Sequence, residues 1–366
     1  MLEQLTNRDY RRIAICVLIS IISLIIVQNY FTEVFPEASI NMDITKDEAH
    51  IIAEKFLANR VHDVEGYMHA HRFGWLDDAK EFLEFELPAD SAGTILNNTN
   101  SYYWKNRWFI PEKEEEYFVK ISTTGNISEF DHTINEDAVG DSLSKERAIY
   151  IAEFFLVGSI GIDINNWELV ESKLEKQKNR WDHRLEWKEK SFNINESTHR
   201  ITILVQGGNV DYYKEWIKVP DTWQRKYEKI RSKNDLLGMI GGFGFILTIF
   251  LIFLMIFIRS RKNDIRWKTA LIYSVIAGVL MILMRLNELP LQMYGFDNKD
   301  SFSSFVTQVI LIQCILIPLG IGLFFSVLIA GSEPLYRDQY PHHISFRHIL
   351  TAEGIRSRSF FNSAVI

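Results

Sequence analysis

Few residues in this chain are spaced for chemistry. His69 and His71, with Asp77, Asp78 and Glu81 close behind, could be drawn as a metal site, because imidazole and carboxylate are ordinary ligands of a divalent ion. No second ligand pair is placed beside them, and they read as polar loop residues. His342, His343 and His348 fit no HExxH-type helix, where two histidines share one face. They read as solvated histidines. What remains are residues at the margins of apolar runs. Gly238 and Gly242 stand in GxxxG spacing, which lets another helix approach. Arg285 and Glu288 lie within one turn of each other, where arginine snorkels and pairs locally. Glu333, Tyr336 and Arg337 read as an anchor at a membrane exit. These are structural or interface assignments; no residue is assigned to catalysis, a cofactor or a metal.

The elements that position these residues are mostly apolar helices. A helix crosses a hydrocarbon core about 30 Å thick with roughly 20 residues, and four runs qualify: 13–30, 236–258, 269–289 and 305–330. Short loops rich in lysine and arginine stay in the cytoplasm. Arg8, Arg11 and Arg12 precede the first run; Arg259, Arg261, Lys262, Arg266 and Lys268 lie between the second and third; Arg337, Arg347, Arg356 and Arg358 follow the fourth. The expected topology puts the N-terminus (1–12) and the tail (331–366) in the cytoplasm and residues 31–235 outside the plasma (inner) membrane. The first run ends in "VQNYFTEVF", with no small-residue cleavage pattern, and reads as an uncleaved anchor.

Residues 31–235 contain a repeat. "TKDEAHIIAEKFL" (45–57) aligns with "SKERAIYIAEFFL" (144–156), each opening on a Thr or Ser N-cap with acid in the first turn. Each helix is followed by an aromatic stretch, Tyr102–Phe109 or Trp181–Lys188, and then by two strands around a Gly-Asn pair, Gly125-Asn126 or Gly208-Asn209, placed where a hairpin needs positive φ. The expectation is an α+β domain of two helix-plus-antiparallel-sheet repeats, 31–140 and 141–235, carried by a multi-pass membrane protein with four transmembrane α-helices. Eight of the nine tryptophans lie there, filling the gap between each helix and its sheet. Cys16 and Cys314 both fall in apolar runs, so this domain has no disulfide and rests on a packed core. A net charge of −7 without a basic field excludes nucleic acid as a partner.

A helix followed by a hairpin ending in "GNI" or "GNV" resembles the PepSY-like modules of bacterial secreted and membrane proteins, which implies binding or restraint of a peptidase. The ordered set "KVPDTW" (218–223), "NELP" (287–290) and "EPLYR" (333–337), with "RW" (266–267) and "GSEPLYRDQYP" (331–341), resembles the long N-terminal region of large bacterial CPBP-family intramembrane metalloproteases, relatives of the type II CAAX prenyl endopeptidases. That family's catalysis rests on an EExxxR motif and histidine motifs on later spans, suited to holding a metal and activating water. Neither is present here: Glu114, Glu115 and Glu116 lead into "YFV", a strand outside the membrane. The resemblance therefore implies a noncatalytic, substrate-binding or regulatory and membrane-anchoring portion. Its expected partners are the lipid bilayer and a protein or peptide substrate or a catalytic partner chain. A divalent metal, zinc, is expected only with the missing catalytic part. "IRSRSFFNSAVI" (355–366) reads as the start of a further span cut short. The alternative is a membrane-anchored sensor or binding protein whose repeats receive a ligand.

Overall fold

A computed structural model describes residues 6–60, 64–341, 345–349 and 351–365. In chain order, α1 (Asn7–Val34) leads to α2 (Lys46–Asn59), β1 (Met68–Trp75), α3 (Asp77–Glu86), α4 (Ala89–Asn98), β2 (Tyr102–Phe109), β3 (Glu116–Ser122) and β4 (Ile127–Thr133). Next come α5 (Lys145–Phe155), β5 (Trp167–Lys176), β6 (Trp181–Glu189), β7 (Thr198–Gln206) and β8 (Asn209–Lys218). Then follow α6 (Asp221–Ser260), α7 (Trp267–Asn287), α8 (Leu289–Tyr294), α9 (Phe302–Gln308), α10 (Ile317–Gln339) and the short α11 (Phe346–Ile349), α12 (Ala352–Ile355) and α13 (Arg358–Val365). Two compact units result: a sheet unit, Phe31–Glu228 with Leu289–Val306, and a helical unit of Met1–Tyr30, Lys229–Glu288 and Thr307–Ile366.

Both repeat helices start at their predicted caps. The Thr45 hydroxyl accepts from the Glu48 N–H while the Glu48 carboxylate accepts from the Thr45 N–H, so two otherwise unpaired donors are satisfied. Ser144 accepts from the Arg147 N–H. The aromatic stretches are β2 and β6, and each repeat carries one more strand ahead of them, β1 or β5.

The turns differ from expectation. In the first, the Gly125 N–H donates to the Ser122 carbonyl at 3.0 Å and Gly125 alone is left-handed, at φ +95°. In the second, Gln206 pairs with Asn209, which leaves Gly207 (φ +53°) and Gly208 (φ +108°) as the central pair. A two-residue loop that follows the strand twist needs positive φ at both central positions, so the paired glycines take them. Asn126 and Asn209 keep ordinary φ.

The eight strands form one antiparallel sheet in the order β1-β2-β3-β4-β8-β7-β6-β5. The repeats join through their last strands. Phe130 and Tyr213, at corresponding places after the two turns, face each other, flanked by Glu129 opposite Lys214 and Asp131 opposite Tyr212; this is the exchange a local two-fold axis produces. α2 and α5 lie on one face and share one core: Ala49, Ala53 and Phe56 from one, Ala148, Ala152 and Phe155 from the other, over Trp108, Val119, Phe130, Trp187, Ile203 and Tyr213. Phe56 and Phe155 meet edge-on with ring centres 6.5 Å apart. Arg60, at the end of α2, lies over Phe56, Phe130 and Phe155 and donates to the Val210 carbonyl at 2.5 Å, so it ties the two repeats together.

Among the described residues four helical stretches are long and apolar enough to cross a membrane: Asn7–Phe31, Asp221–Ser260, Trp267–Asn287 and Phe302–Gln339. In the helical unit α7 and α10 pack closely, a Cβ on Gly322 standing 3.2 Å from the Ser274 carbonyl. The last stretch contains a π-helical run, Val309–Leu316, just ahead of Pro318. Proline has no N–H and its ring crowds the preceding turn, which widening relieves. α10 runs through Pro334 to Gln339, although proline disfavours helical geometry in the residue before it. Glu333 is held by Arg266 at 3.3 Å and by Arg337 one turn on, and this anchoring offsets the local preference for extended backbone before proline.

Candidate functional site

Strand side chains alternate between faces, so the residues between those that pack under α2 and α5 form a second face. It is polar. Facing neighbours run across all eight strands as Arg72, Lys105, Lys120, Glu129, Lys214, Thr202, Glu186 and Glu171. A parallel row holds Arg107, Phe118, Asp131, Tyr212, Leu204 and Arg184. The first row is basic at the β1 end and acidic at the β5 end.

Charge is tightly held at the centre of this face. Lys120 and Glu129 pair at 2.8 Å, both buried, and Lys214 reaches Glu129 at 4.0 Å. Burial, reinforced by the Lys120 charge, lowers the Lys105 ammonium to about 8, and burial together with Glu129 raises the Asp131 carboxyl to about 6. Both groups thus titrate close to neutral pH, a property that gathers at functional sites. Tyr212 and Trp216 are half-buried on the same face; Trp216 donates to the Thr202 hydroxyl at 3.0 Å. Burial pushes the Tyr103 phenol up to about 12. An array of paired charges and flat rings is suited to binding a polypeptide.

The β1 to β3 end of the face is partly covered by Leu289–Val306. Phe296 is buried against Phe109, Phe302 and Phe305. Arg107, paired with Glu116 at 2.6 Å, donates to the carbonyls of Tyr294 and Phe296.

The residues singled out from sequence fall elsewhere. Gly238 and Gly242 have open space at their Cβ positions, so no described helix rests on them; the close approach to α6 is made by Gly331 against Ile252. Arg285 and Glu288 pair at 2.7 Å. Glu333, Tyr336 and Arg337 do come together. Glu333, 3% exposed, meets Arg266, Arg337 bonds Asp264 at 2.5 Å, and Tyr336 stacks on Phe346 with ring centres 5.1 Å apart. This is an ion-pair cluster that fixes the turn between α6 and α7 onto α10.

His69 turns under α2 and packs at a tilt against the His50 and Trp108 rings, while Asp77 and Asp78 open α3. His342 and His343 lie outside the described residues. Among the described residues no three His, Cys, Asp or Glu side chains converge to hold a metal ion. The three adjacent glutamates diverge, Glu114 to Asn135, Glu115 to His132 and Glu116 to Arg107. Trp108 and Trp187 fill the helix–sheet gap, whereas Trp75 is exposed and Trp216 belongs to the polar face.

Sequence reasoning missed the polar face altogether. Its signal was the alternation in "KNRWF" and "ISEFD", where Lys105 and Arg107, and Glu129 and Asp131, stand two residues apart around a position of the other face. Two acid-flanked histidines were missed as well: the buried His199 lies between Glu189 (2.7 Å) and Glu215 (2.9 Å), and the half-buried His132 between Asp211 (2.9 Å) and Glu115 (3.1 Å). No family model, no curated protein and no solved structure matches this chain.

Proposed function

We propose that the chain is the noncatalytic portion of a CPBP-like intramembrane metalloprotease, in which two PepSY-like repeats hold a protein or peptide segment and the apolar helices anchor it beside a catalytic partner. The observation that carries this reading is the polar ladder from Arg72 to Glu171, charged at every strand but β7, where Thr202 stands, which fusing the repeats at β4 and β8 creates and neither repeat possesses alone. An extended polypeptide laid across it meets cations at one end and carboxylates at the other. No described residue is given a metal or a bond-breaking step, and the family's zinc would be held by the partner.

The same reading places the chain in the plasma (inner) membrane with both termini cytoplasmic and residues 31–235 extracytoplasmic. It is supported by the distribution of lysine and arginine and by the membership of Leu289–Val306 in the sheet unit. A loop that packs on the sheet lies on its side of the membrane. The second reading, a membrane-anchored sensor, draws on that same loop, because it joins α7 to the last apolar helix.

Affinity purification of the tagged chain from its own membranes tests the first reading. A co-purifying membrane protein with EExxxR and histidine motifs is the expected result. Repeated recovery, after cross-linking, of partners that all lack them would leave the sensor.

A further inference from the structure

The basic end of the ladder is short of acid. Arg72 faces Lys105, and Lys105 faces Lys120, an arrangement of like charges on facing strand positions that is unfavourable by itself. Of the carboxylates that act on Lys105, Glu129 is taken by Lys120 at 2.8 Å, and Asp131, in the neighbouring row, attracts it at longer range without an ion pair. Among the described residues no carboxylate forms an ion pair with Arg72 or Lys105, and both lean on aromatic rings instead. The Arg72 guanidinium carbon lies 4.9 Å from the centre of the Tyr294 ring; the Lys105 ammonium lies 5.6 Å from that ring and 4.5 Å from Phe118.

Tyr294 belongs to the segment that joins α7 to the last apolar helix. Polar contacts that hold that segment on the sheet include Arg107 to the carbonyls of Tyr294 (2.9 Å) and Phe296 (2.5 Å), and the Glu112 N–H to the Asn298 carbonyl (2.8 Å). A ring face attracts a cation less strongly than a carboxylate that accepts charged hydrogen bonds from it.

We propose that Arg72 and Lys105 receive a carboxylate of the polypeptide held on this face, displacing the Tyr294 ring and loosening Leu289–Val306. The inference rests on the polypeptide-binding reading above and names the chemistry of its ligand: an acidic side chain or a C-terminus. Occupancy of the sheet then reaches the apolar helices through the chain itself, since the segment is continuous with them.

The test uses the full chain in phosphatidylcholine nanodiscs, so that no anionic lipid competes. Fluorescein-labelled decaglutamate and decaglutamine are titrated by anisotropy, and trypsin cleavage after Lys299, the one basic residue between Pro290 and Ser304, is followed by mass spectrometry. Decaglutamate should bind at least about tenfold more tightly than decaglutamine, the usual scale for a close charge pair. It should also speed cleavage after Lys299 several-fold. Lys105→Met, with an unchanged tryptophan melting curve, should lose both effects. Tyr294→Leu, which removes the competing ring and no cation, should bind decaglutamate more tightly than the unaltered chain.

Equal binding of the two peptides, or binding of neither, overturns the carboxylate site. Tight decaglutamate binding with unchanged cleavage overturns the loosening. Photocross-linking from Tyr212, away from these cations, decides the polypeptide reading separately.

Discussion

Phe130→Ala should unfold both repeats together. Phe130 is fully buried at the seam, opposite Tyr213, with its ring 5.3 Å from Phe56 and 5.0 Å from the Arg60 guanidinium carbon. Emptying such a site costs about 3–5 kcal/mol in lost transfer energy and cavity, against the roughly 5–15 kcal/mol that holds a domain folded. For a unit of this size each kcal/mol moves the midpoint by about 2–4 °C, so Tm should fall by about 6–20 °C. Tryptophan fluorescence reports the change almost entirely from the sheet unit, which contains eight of the nine tryptophans. The decisive readout is hydrogen exchange. If the repeats form one cooperative sheet, β7 loses protection as much as β3 does, although β7 does not pair with the strand that carries the substitution. Loss confined to β1–β4 would refute the shared core.

Three further outcomes follow from particular groups. Burial alone would lower the His199 imidazole, but hydrogen bonds to Glu189 and Glu215 outweigh it and lift it to about 9; His132, between Asp211 and Glu115, is raised for the same reason. A histidine raised above its unfolded value, about 6.5, contributes stability that is complete below that pH and lost as pH climbs toward 9. Tm should therefore decline between pH 6.5 and 9, and His199→Gln should flatten the decline. Asp131 behaves oppositely to a stabilising carboxylate: its charged form is penalised in the fold, so Asp131→Asn should raise Tm above pH 6 and lose that advantage near pH 4, read from melting curves across that range. A Cβ on Gly140 would stand 2.7 Å from the Gly207 Cα, so Gly140→Ala should cost about 1–3 kcal/mol in denaturant titration, whereas Gly158→Ala, with open space at its Cβ, should not show that clash.

What could be read from the sequence was local. The capped helices α2 and α5 and the four apolar runs each follow from residues a few places apart, through side-chain caps or an apolar stretch of spanning length. The hairpins were legible, yet the choice between Gly207-Gly208 and Gly208-Asn209 depended on the cross-strand register of Gln206 and Asn209, which two short strands do not fix by composition. β1 was hidden because "MHAHRFGW" mixes histidine, arginine and glycine; it becomes a strand by pairing along all of β2. The seam at Phe130 and Tyr213, the contact of Arg107 with Tyr294, and the charged ladder all join residues distant in sequence. The ladder's members are ordinary polar and charged residues one by one, and only strand order makes them neighbours. The continuation of α10 past Pro334 shows the reverse case, in which tertiary ion pairs override a sound local rule.

The central claim is that the polar face holds a polypeptide, and photocross-linking in the membranes of producing cells tests it most directly. A photoreactive phenylalanine analogue would replace Tyr212, half-buried on that face, or Tyr150, exposed on α5, which packs on the opposite face. The account predicts a discrete cross-linked polypeptide from position 212 and none from position 150. Cross-linking from position 150 alone, or none from position 212, would contradict it.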